Sequence, residues 1–181
     1  MQQGMVRQAE ALRDLNKRVI KKSNATMLVT SCPICYQTFV KDYKLNIPVI
    51  HHSQYIDMLI NEGRIKVKNG GQRVTYHDPC ELGRGCGVYD EPRHVVASAA
   101  NLVATEEERE KSLCCGYNLG NIHIDSEQQK LIRDAALRNL LAPNPDMIAT
   151  ACPMCKKAMT RGSDIPVSDI AEIVACNLVD S

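Results

Sequence analysis

The sequence has no tryptophan and one phenylalanine, and its only other aromatic rings are six tyrosines. Its core must therefore be aliphatic and rich in sulfur. It has no excess of either charge: 22 Lys and Arg stand against 21 Asp and Glu, a net charge of +1. That balance gives no electrostatic case for nucleic acid or an anionic membrane surface. It has no long hydrophobic run either. The least polar stretch, Val95 to Ala104, is too short to cross a bilayer, so no membrane span is expected. No basic-then-apolar leader opens the chain, so secretion has no support. The expected place is the cytoplasm, or the membrane periphery through a partner. What remains is 181 residues, 44% of them apolar, enough for a packed domain or one and a half.

What the chain has in abundance is cysteine: nine of them, at 32, 35, 80, 86, 114, 115, 152, 155 and 176. In a reducing compartment such clusters mean metal or redox chemistry rather than structural disulfides. The odd count also argues against a complete disulfide framework.

Apolar periodicity predicts a helix over 4–22, with Met5, Leu12, Leu15 and Val19 near one face. A β-prone run, Thr26 to Ser31, leads into Cys-Pro-Ile-Cys, and a helix is expected over 34–43 with Pro33 in its first turn. Pro48 to Ile50 reads as a strand, and 53–62 as a helix capped by Ser53 and ended by Gly63. His51 and His52 read as the start of that helix, since adjacent imidazoles diverge. Asn69-Gly70-Gly71 is the best linker candidate. Beyond it come a strand at 73–76, a glycine-rich loop at 83–87, and a helix at 91–103 capped by Asp90. A helix follows at 127–141, with Ser126 and Gln129 as a capping box and Leu131, Ala135 and Leu140 inward. A strand at 147–151 then runs into Cys-Pro-Met-Cys, and a helix closes the chain at 168–178. Alternating strands and helices predict an α/β fold: two related lobes with small, mainly parallel sheets flanked by helices.

The two lobes are copies. A gap-free shift of 120 pairs residues 12–35 with 132–155, and nine of those 24 positions are identical. Random pairing would give roughly one or two. Ile47-Pro48-Val49 and Ile165-Pro166-Val167 also match after a two-residue gap. Shifted back by 120, Cys114 and Cys115 would fall just before Met1. The expected division is thus 1–70, the C-terminal half of a first unit, and 71–181, a complete second one. The first lobe is incomplete, as in the C-terminal part of a longer two-copy protein.

In the second copy Cys80 precedes Cys114-Cys115-Gly116 by 33 intervening residues, and Cys152-x-x-Cys155 follows. A Cys-x-x-Cys at a strand-to-helix junction sets both sulfurs near backbone N–H groups, which favours thiolate ligands. Adjacent cysteines serve one tetrahedral ion poorly, whereas a polynuclear iron–sulfur cluster lets each reach its own iron. Gly116 allows close backbone approach. Soft thiolates without a run of histidines favour iron–sulfur or zinc over hard cations.

The run His77-Asp78-Pro79-Cys80-x-Leu82-Gly83-Arg84-x-x-Gly87-Val88-Tyr89-Asp90-x-Pro92-Arg93, followed by Ser112-Leu113-Cys114-Cys115-Gly116 and Thr150-Ala151-Cys152-Pro153-Met154-Cys155, resembles the cysteine-rich CCG domain. That domain occurs in heterodisulfide reductase and in the iron–sulfur subunits of glycolate oxidase, anaerobic glycerol-3-phosphate dehydrogenase and lactate-utilisation systems. The resemblance implies a cluster of 4Fe-4S type, cubane or non-cubane, on Cys80, Cys114, Cys115, Cys152 and Cys155. It implies an electron-transfer subunit of an oxidoreductase complex, with flavin-bearing or ferredoxin-like iron–sulfur partners. After Cys-Cys-Gly the chain reads Tyr117-Asn118-Leu119-Gly120, where many relatives are richer in glycine. Cys86 stands at a position the motif does not require.

Two alternatives stand beside this reading. One is a zinc-binding structural or interaction module without redox turnover. The other is a dithiol–disulfide oxidoreductase using Cys-Pro-x-Cys. His77, Gly116 and Cys86 are candidates to surround the site: His77 either donates a hydrogen bond there or, the better reading, fixes the loop, and Cys86 is a spare thiol or an auxiliary ligand. Cys32 and Cys35 are an orphaned pair whose partners are missing: free thiols, a disulfide or an adventitious metal site. Cys176 is expected in the core, Asp78-Pro79 is read as turn chemistry, and Arg84 as exposed or salt-bridged. No catalytic residue is assigned. No properly placed GxGxxG offers a flavin or nicotinamide site.

Overall fold

The computed structural model describes residues 5–117 and 123–179. Its centre is a four-stranded, all-parallel sheet in the order β5 (Asn101–Val103), β4 (Arg73–His77), β6 (Met147–Thr150), β7 (Val167–Asp169). Val74 pairs with Leu102 on one side and Met147 on the other, and Ile148 pairs with Val167. Parallel strands are covered on both faces, so β4 reads Val-Thr-Tyr with all three buried. Alternation divides β6 between two cores. Ala149 packs with Val74, Val95, Val96, Ile170 and Ile173, whereas Ile148 packs with Leu137, Leu140 and Met159. The core is aliphatic, as the scarcity of aromatics requires.

The repeat holds element for element. In the first lobe α1 (Val6–Lys22), β1 (Leu28–Thr30), α2 (Pro33–Thr38), β2 (Val49–His51), α3 (His52–Asn61) and β3 (Lys66–Val67) succeed one another. In the second, α6 (Ser126–Leu141), β6, α7 (Pro153–Thr160), β7, α8 (Ile170–Cys176) and β8 (Leu178–Val179) do the same. Even the caps match. His51 and Gln54 form a capping box on α3, as Asp169 and Glu172 do on α8. Between the copies lie α4 (Gly83–Cys86) and α5 (Asp90–Ala99).

The first lobe packs onto the second. β3 and β8 pair antiparallel, α3 lies against α5 and α8, and His52 Nε2 sits 3.0 Å from Asp169 Oδ1. Among the described residues β1 pairs only with β2, whereas its counterpart β6 is sandwiched between β4 and β7. No residue of α1 is buried, and Leu12, Leu15 and Val19 are 58%, 48% and 58% exposed.

Several expectations need correction. The helix at 91–103 stops at Ala99, because Asn101–Val103 joins β4 as a strand. The last helix is shorter than 168–178: β7 takes Ser168 and Asp169, and β8 takes Leu178. α6 is capped by Asp125, whose carboxylate accepts from Gln128 N, not by a Ser126–Gln129 box. Its inward residues are Arg133, Ala136, Leu137 and Leu140, and Leu131 is 69% exposed. α3 is capped by His51 rather than Ser53, and the two imidazoles do not diverge: their centroids lie 4.4 Å apart, edge to face. Residues 83–86 form a helical turn instead of a loop, and 39–43 continue α2 as a π-helix. Cys176 is exposed, at the C-terminal end of α8, and not in the core. No helix among the described residues is long and apolar enough to cross a membrane.

Candidate metal centre

Strand ends deliver the cysteines. β4 ends at His77 and the chain turns through Asp78 and Pro79 to Cys80; Leu82 N and Gly83 N both donate to Pro79 O. β6, next to β4, ends at Thr150 and leads to Cys152, which starts α7 with Pro153 behind it. A parallel sheet brings these two ends to one edge, and the segment 112–117 lies across it. Cys115, Cys152 and Cys155 are buried, Cys80 and Cys114 half-buried.

The five sulfurs form an unbroken hydrogen-bonded series. Cys80 pairs with Cys114, Cys114 with Cys115, Cys115 with Cys155, and Cys155 with Cys152. The Cys155–Cys115 contact is 3.3 Å. Protons are shared unequally along it. Cys115 falls to about 4 because Cys114 and then Cys155 donate to its sulfur. Cys152 is also lowered, by Cys155 first, with backbone amides of Cys155 and Met154 in support. Cys155 is raised well above the usual thiol range, as the donor to both. The Cys115 thiolate thus stands ready among the five, and full ligation would release the remaining protons. No three His, Cys, Asp or Glu groups among the described residues close on a point suited to one metal ion.

Gly116 has φ +81°, and its N–H donates to Cys114 Sγ at 3.3 Å. A Cβ there would lie 2.5 Å from Gln129 O, so only glycine lets the loop press against α6. His77 is buried, and its Nε2 donates to Leu113 O at 3.1 Å, pinning the residue before Cys114. Arg84 bridges to no carboxylate among the described residues; its Nη1 donates to Glu110 O (3.1 Å) and Ser112 O (2.6 Å), clamping the same segment. Asp78 is more than a turn residue. It is 3% exposed and pairs twice with Arg93, at 2.6 and 2.7 Å. The sequence pattern contained a signal for these, since His77, Asp78, Arg84 and Arg93 all stand in the run that ends in Pro92-Arg93.

The structure does not bring Cys86 to the site. It faces Gln37 and Lys41 of the first lobe and Glu81, and burial raises its thiol. Cys32 does come to the site. A small cavity of about 30 Å3 is lined by Cys32, Pro33 and Ile34 on one side, and by Cys80, Cys115, Cys152 and Cys155 on the other. Cys32 of the supposedly orphaned pair therefore shares a cavity with four of the five cysteines, while Cys35 is exposed. The Asn118-Leu119-Gly120 departure lies outside the described residues.

The buried histidines make folding sensitive to acid. Burial lowers His77 to about 4, and burial followed by the neighbouring His52 lowers His51 to about 3, from 6.5. Both are satisfied neutral: His51 Nε2 donates to Ser31 O at 3.3 Å and Nδ1 accepts from the Ser53 hydroxyl at 2.8 Å. Between pH 6.5 and 4 the unfolded chain binds protons that the folded chain refuses. The histidines' contribution to stability is therefore full above pH 6.5 and falls below it, by up to about 1.4 kcal/mol per pH unit for each histidine. Urea midpoints should fall from pH 6.5 to 5, and less steeply in His77→Gln. A midpoint independent of pH over that range would refute the assignment.

Comparison with known proteins places the chain. A model of the cysteine-rich CCG domain matches residues 1–40 and 74–160. The EtfAB:quinone oxidoreductase of Syntrophomonas wolfei is 33% identical over 185 residues, covering 92% of this chain and 25% of that protein. A subunit of the dihydromethanophenazine:CoB–CoM heterodisulfide reductase of Methanosarcina acetivorans is 30% identical, covering 92% and 44%. The probable iron–sulfur-binding oxidoreductase FadF of Bacillus subtilis is 28% identical, covering 92% and 25%. The chain spans less than half the length of each of these relatives. Its matched residues take in the Cys-Cys-Gly segment and both Cys-Pro-x-Cys turns, and the chain belongs to the family of cysteine-rich CCG domains.

Proposed function

We propose that the chain is an electron-transfer subunit, or part of one, in an oxidoreductase complex, and that it holds an iron–sulfur cluster on Cys80, Cys114, Cys115, Cys152 and Cys155. The observation that carries this is the unbroken series of five thiols drawn from three separate segments. A structural zinc site takes four donors around one point. Five thiols linked in series, four of them lining one cavity, suit a polynuclear cluster of 4Fe-4S type, cubane or non-cubane, better than a single ion. Such a cluster supplies one-electron transfer when bound. The residues around it hold and tune it. The neighbours' S–H groups lower the Cys115 and Cys152 thiols towards ligation, and the backbone amide of Gly116 faces a ligand sulfur. Pro33, Ile34, Pro79 and Met154 line the cavity with apolar surface that limits water.

Relatives that are heterodisulfide reductase and quinone oxidoreductase proteins support the redox reading and partners in a redox complex; that those partners are flavin-bearing or ferredoxin-like is part of the proposal. The division at 69–71 into a half unit and a whole unit is part of the same reading, supported by the matched order of elements. Anaerobic reconstitution followed by iron, sulfide and zinc analysis and EPR tests it. Iron and sulfide at about four per chain, with an EPR signal on reduction, are expected. Stoichiometric zinc with no iron-dependent signal would establish the structural alternative.

A further inference from the structure

We infer that the hydroxyl of Tyr76 donates a hydrogen bond to the Cys155 sulfur once that cysteine is a ligand, and so raises the reduction potential of the centre. This rests on the five thiols being cluster ligands and adds a tyrosine to them. Tyr76 stands next to last in β4 and pairs with Ala149 of β6, the strand that leads to Cys152 and Cys155. It is 4% exposed, in the core with Val74, Leu82 and Ile170. Its hydroxyl is buried and has no hydrogen-bond partner among the described residues. Buried polar groups are nearly always partnered, so one that is not calls for an explanation. Burial also holds the phenol well above its ordinary range, so it keeps its proton and is a donor.

Four ionisable groups act on this phenol: Asp78, Arg93, Cys155 and Asp169. Three of them are engaged elsewhere. Asp78 accepts two bonds from the Arg93 guanidinium and one from Arg109 N. Arg93 offers no acceptor and holds its guanidinium 5.3 Å from the Tyr76 ring centroid. Asp169 Oδ1 accepts from His52 Nε2 and from Ala171 N. That leaves Cys155.

In the metal-free chain Cys155 is itself a donor, to Cys115 at 3.3 Å and to Cys152. Ligation removes its proton and turns the sulfur into an anionic acceptor. The phenol therefore lacks a partner without the centre and gains one with it. A hydrogen bond to a ligand sulfur stabilises the reduced state, which is the more negative one, and so raises the potential. The Gly116 amide makes such a contact with Cys114 from the loop. Tyr76 makes its counterpart with Cys155 from the sheet.

The test compares the full chain with Tyr76→Phe, which keeps the ring and removes only the hydroxyl. Both are reconstituted anaerobically and should take up equal iron. In a redox titration followed by EPR, the ratio of reduced to oxidised centre at a fixed poise should be about tenfold lower in Tyr76→Phe, the loss expected for one charge-assisted hydrogen bond. For a one-electron couple that is a potential about 59 mV lower. Electron–nuclear double resonance of the reduced centre, in water and in deuterium oxide, should show one exchangeable proton fewer. The metal-free chains should share one urea midpoint, since the hydroxyl has no bond to lose there. Three results would overturn the proposal: an unchanged potential, an unchanged set of exchangeable protons, or a lowered midpoint in metal-free Tyr76→Phe, which would show the hydroxyl bonded within the protein. Failure of the wild-type chain to take up iron would defeat the preceding reading and this one with it. A loaded wild type whose potential Tyr76→Phe does not move defeats this one alone.

Discussion

Cys115→Ser should leave the reconstituted chain with less than about a tenth of the wild-type iron and no cluster EPR signal, because it removes the middle link of the sulfur series. Cys115 is 2% exposed and touches both Cys114 and Cys155. It is also the sulfur most nearly prepared as a ligand, since its neighbours hold it at about 4. A serine hydroxyl in the same place stays protonated at neutral pH, is a hard donor, and leaves the Cys114 and Cys155 protons without a thiolate to accept them. The comparison that gives the result meaning is Cys86→Ser and Cys176→Ser. Both lie outside the cavity, and both should load iron normally. Far-UV circular dichroism of each metal-free variant separates a lost ligand from a lost fold. An unchanged cluster EPR signal in Cys115→Ser would remove the five-thiolate assignment.

What could be read from the sequence was whatever is repeated or local. The two Cys-Pro-x-Cys turns, the strands leading into them and the helices before them all stand where the offset of 120 puts them. Each depends on neighbours within a few residues. Misreadings occurred where distant partners decide. Asn101-Leu102-Val103 follows a helical run with no glycine or proline to break it, yet Asn101 N donates to Gln72 O and the segment extends along β4. Leu131 looks inward on a helical wheel, but α6 turns Arg133 and Leu137 inward instead. Cys32 looked orphaned because its place at the cavity comes from lobe packing. That packing is set by the β3–β8 pair and by His52 with Asp169, 117 positions apart. No local pattern encodes such contacts. Asp78 was the subtlest case: Asp-Pro is a turn signal on its own, and only the fold shows what its carboxylate holds.

That carboxylate underlies the largest expected loss of stability. Asp78→Ala should destabilise the metal-free chain by about 3–5 kcal/mol, the cost of leaving a buried partner charge uncompensated. Asp78 accepts two hydrogen bonds from the Arg93 guanidinium, and its Oδ2 accepts a third from Arg109 N at 2.9 Å. Its backbone oxygen accepts from the Ser112 hydroxyl at 3.3 Å. One residue therefore ties α5 and the segment 109–112 to the end of β4, two positions before Cys80. Arg93 is itself 8% exposed, donates to Tyr89 O, and lies 5.3 Å from the Tyr76 ring centroid. Glu108, 3.6 Å from Arg93 Nη2 but 37% exposed, can compensate only in part. Arg93→Met should cost a similar amount, since it leaves Asp78 with a single backbone donor. The double variant Asp78→Ala/Arg93→Met should cost clearly less than the sum of the two, because neither charge is then stranded. Urea unfolding of the four chains measures this directly. Single losses below about 1 kcal/mol, as at an exposed pair, would show that the bridge does not bear on stability. The same variants separate stability from site geometry. Asp78→Ala also releases the segment that carries Leu113 to Cys114, so its iron uptake should fall even at temperatures where it remains folded. Lys156→Ala breaks an exposed pair with Glu172 and leaves that segment alone, so it should lose neither.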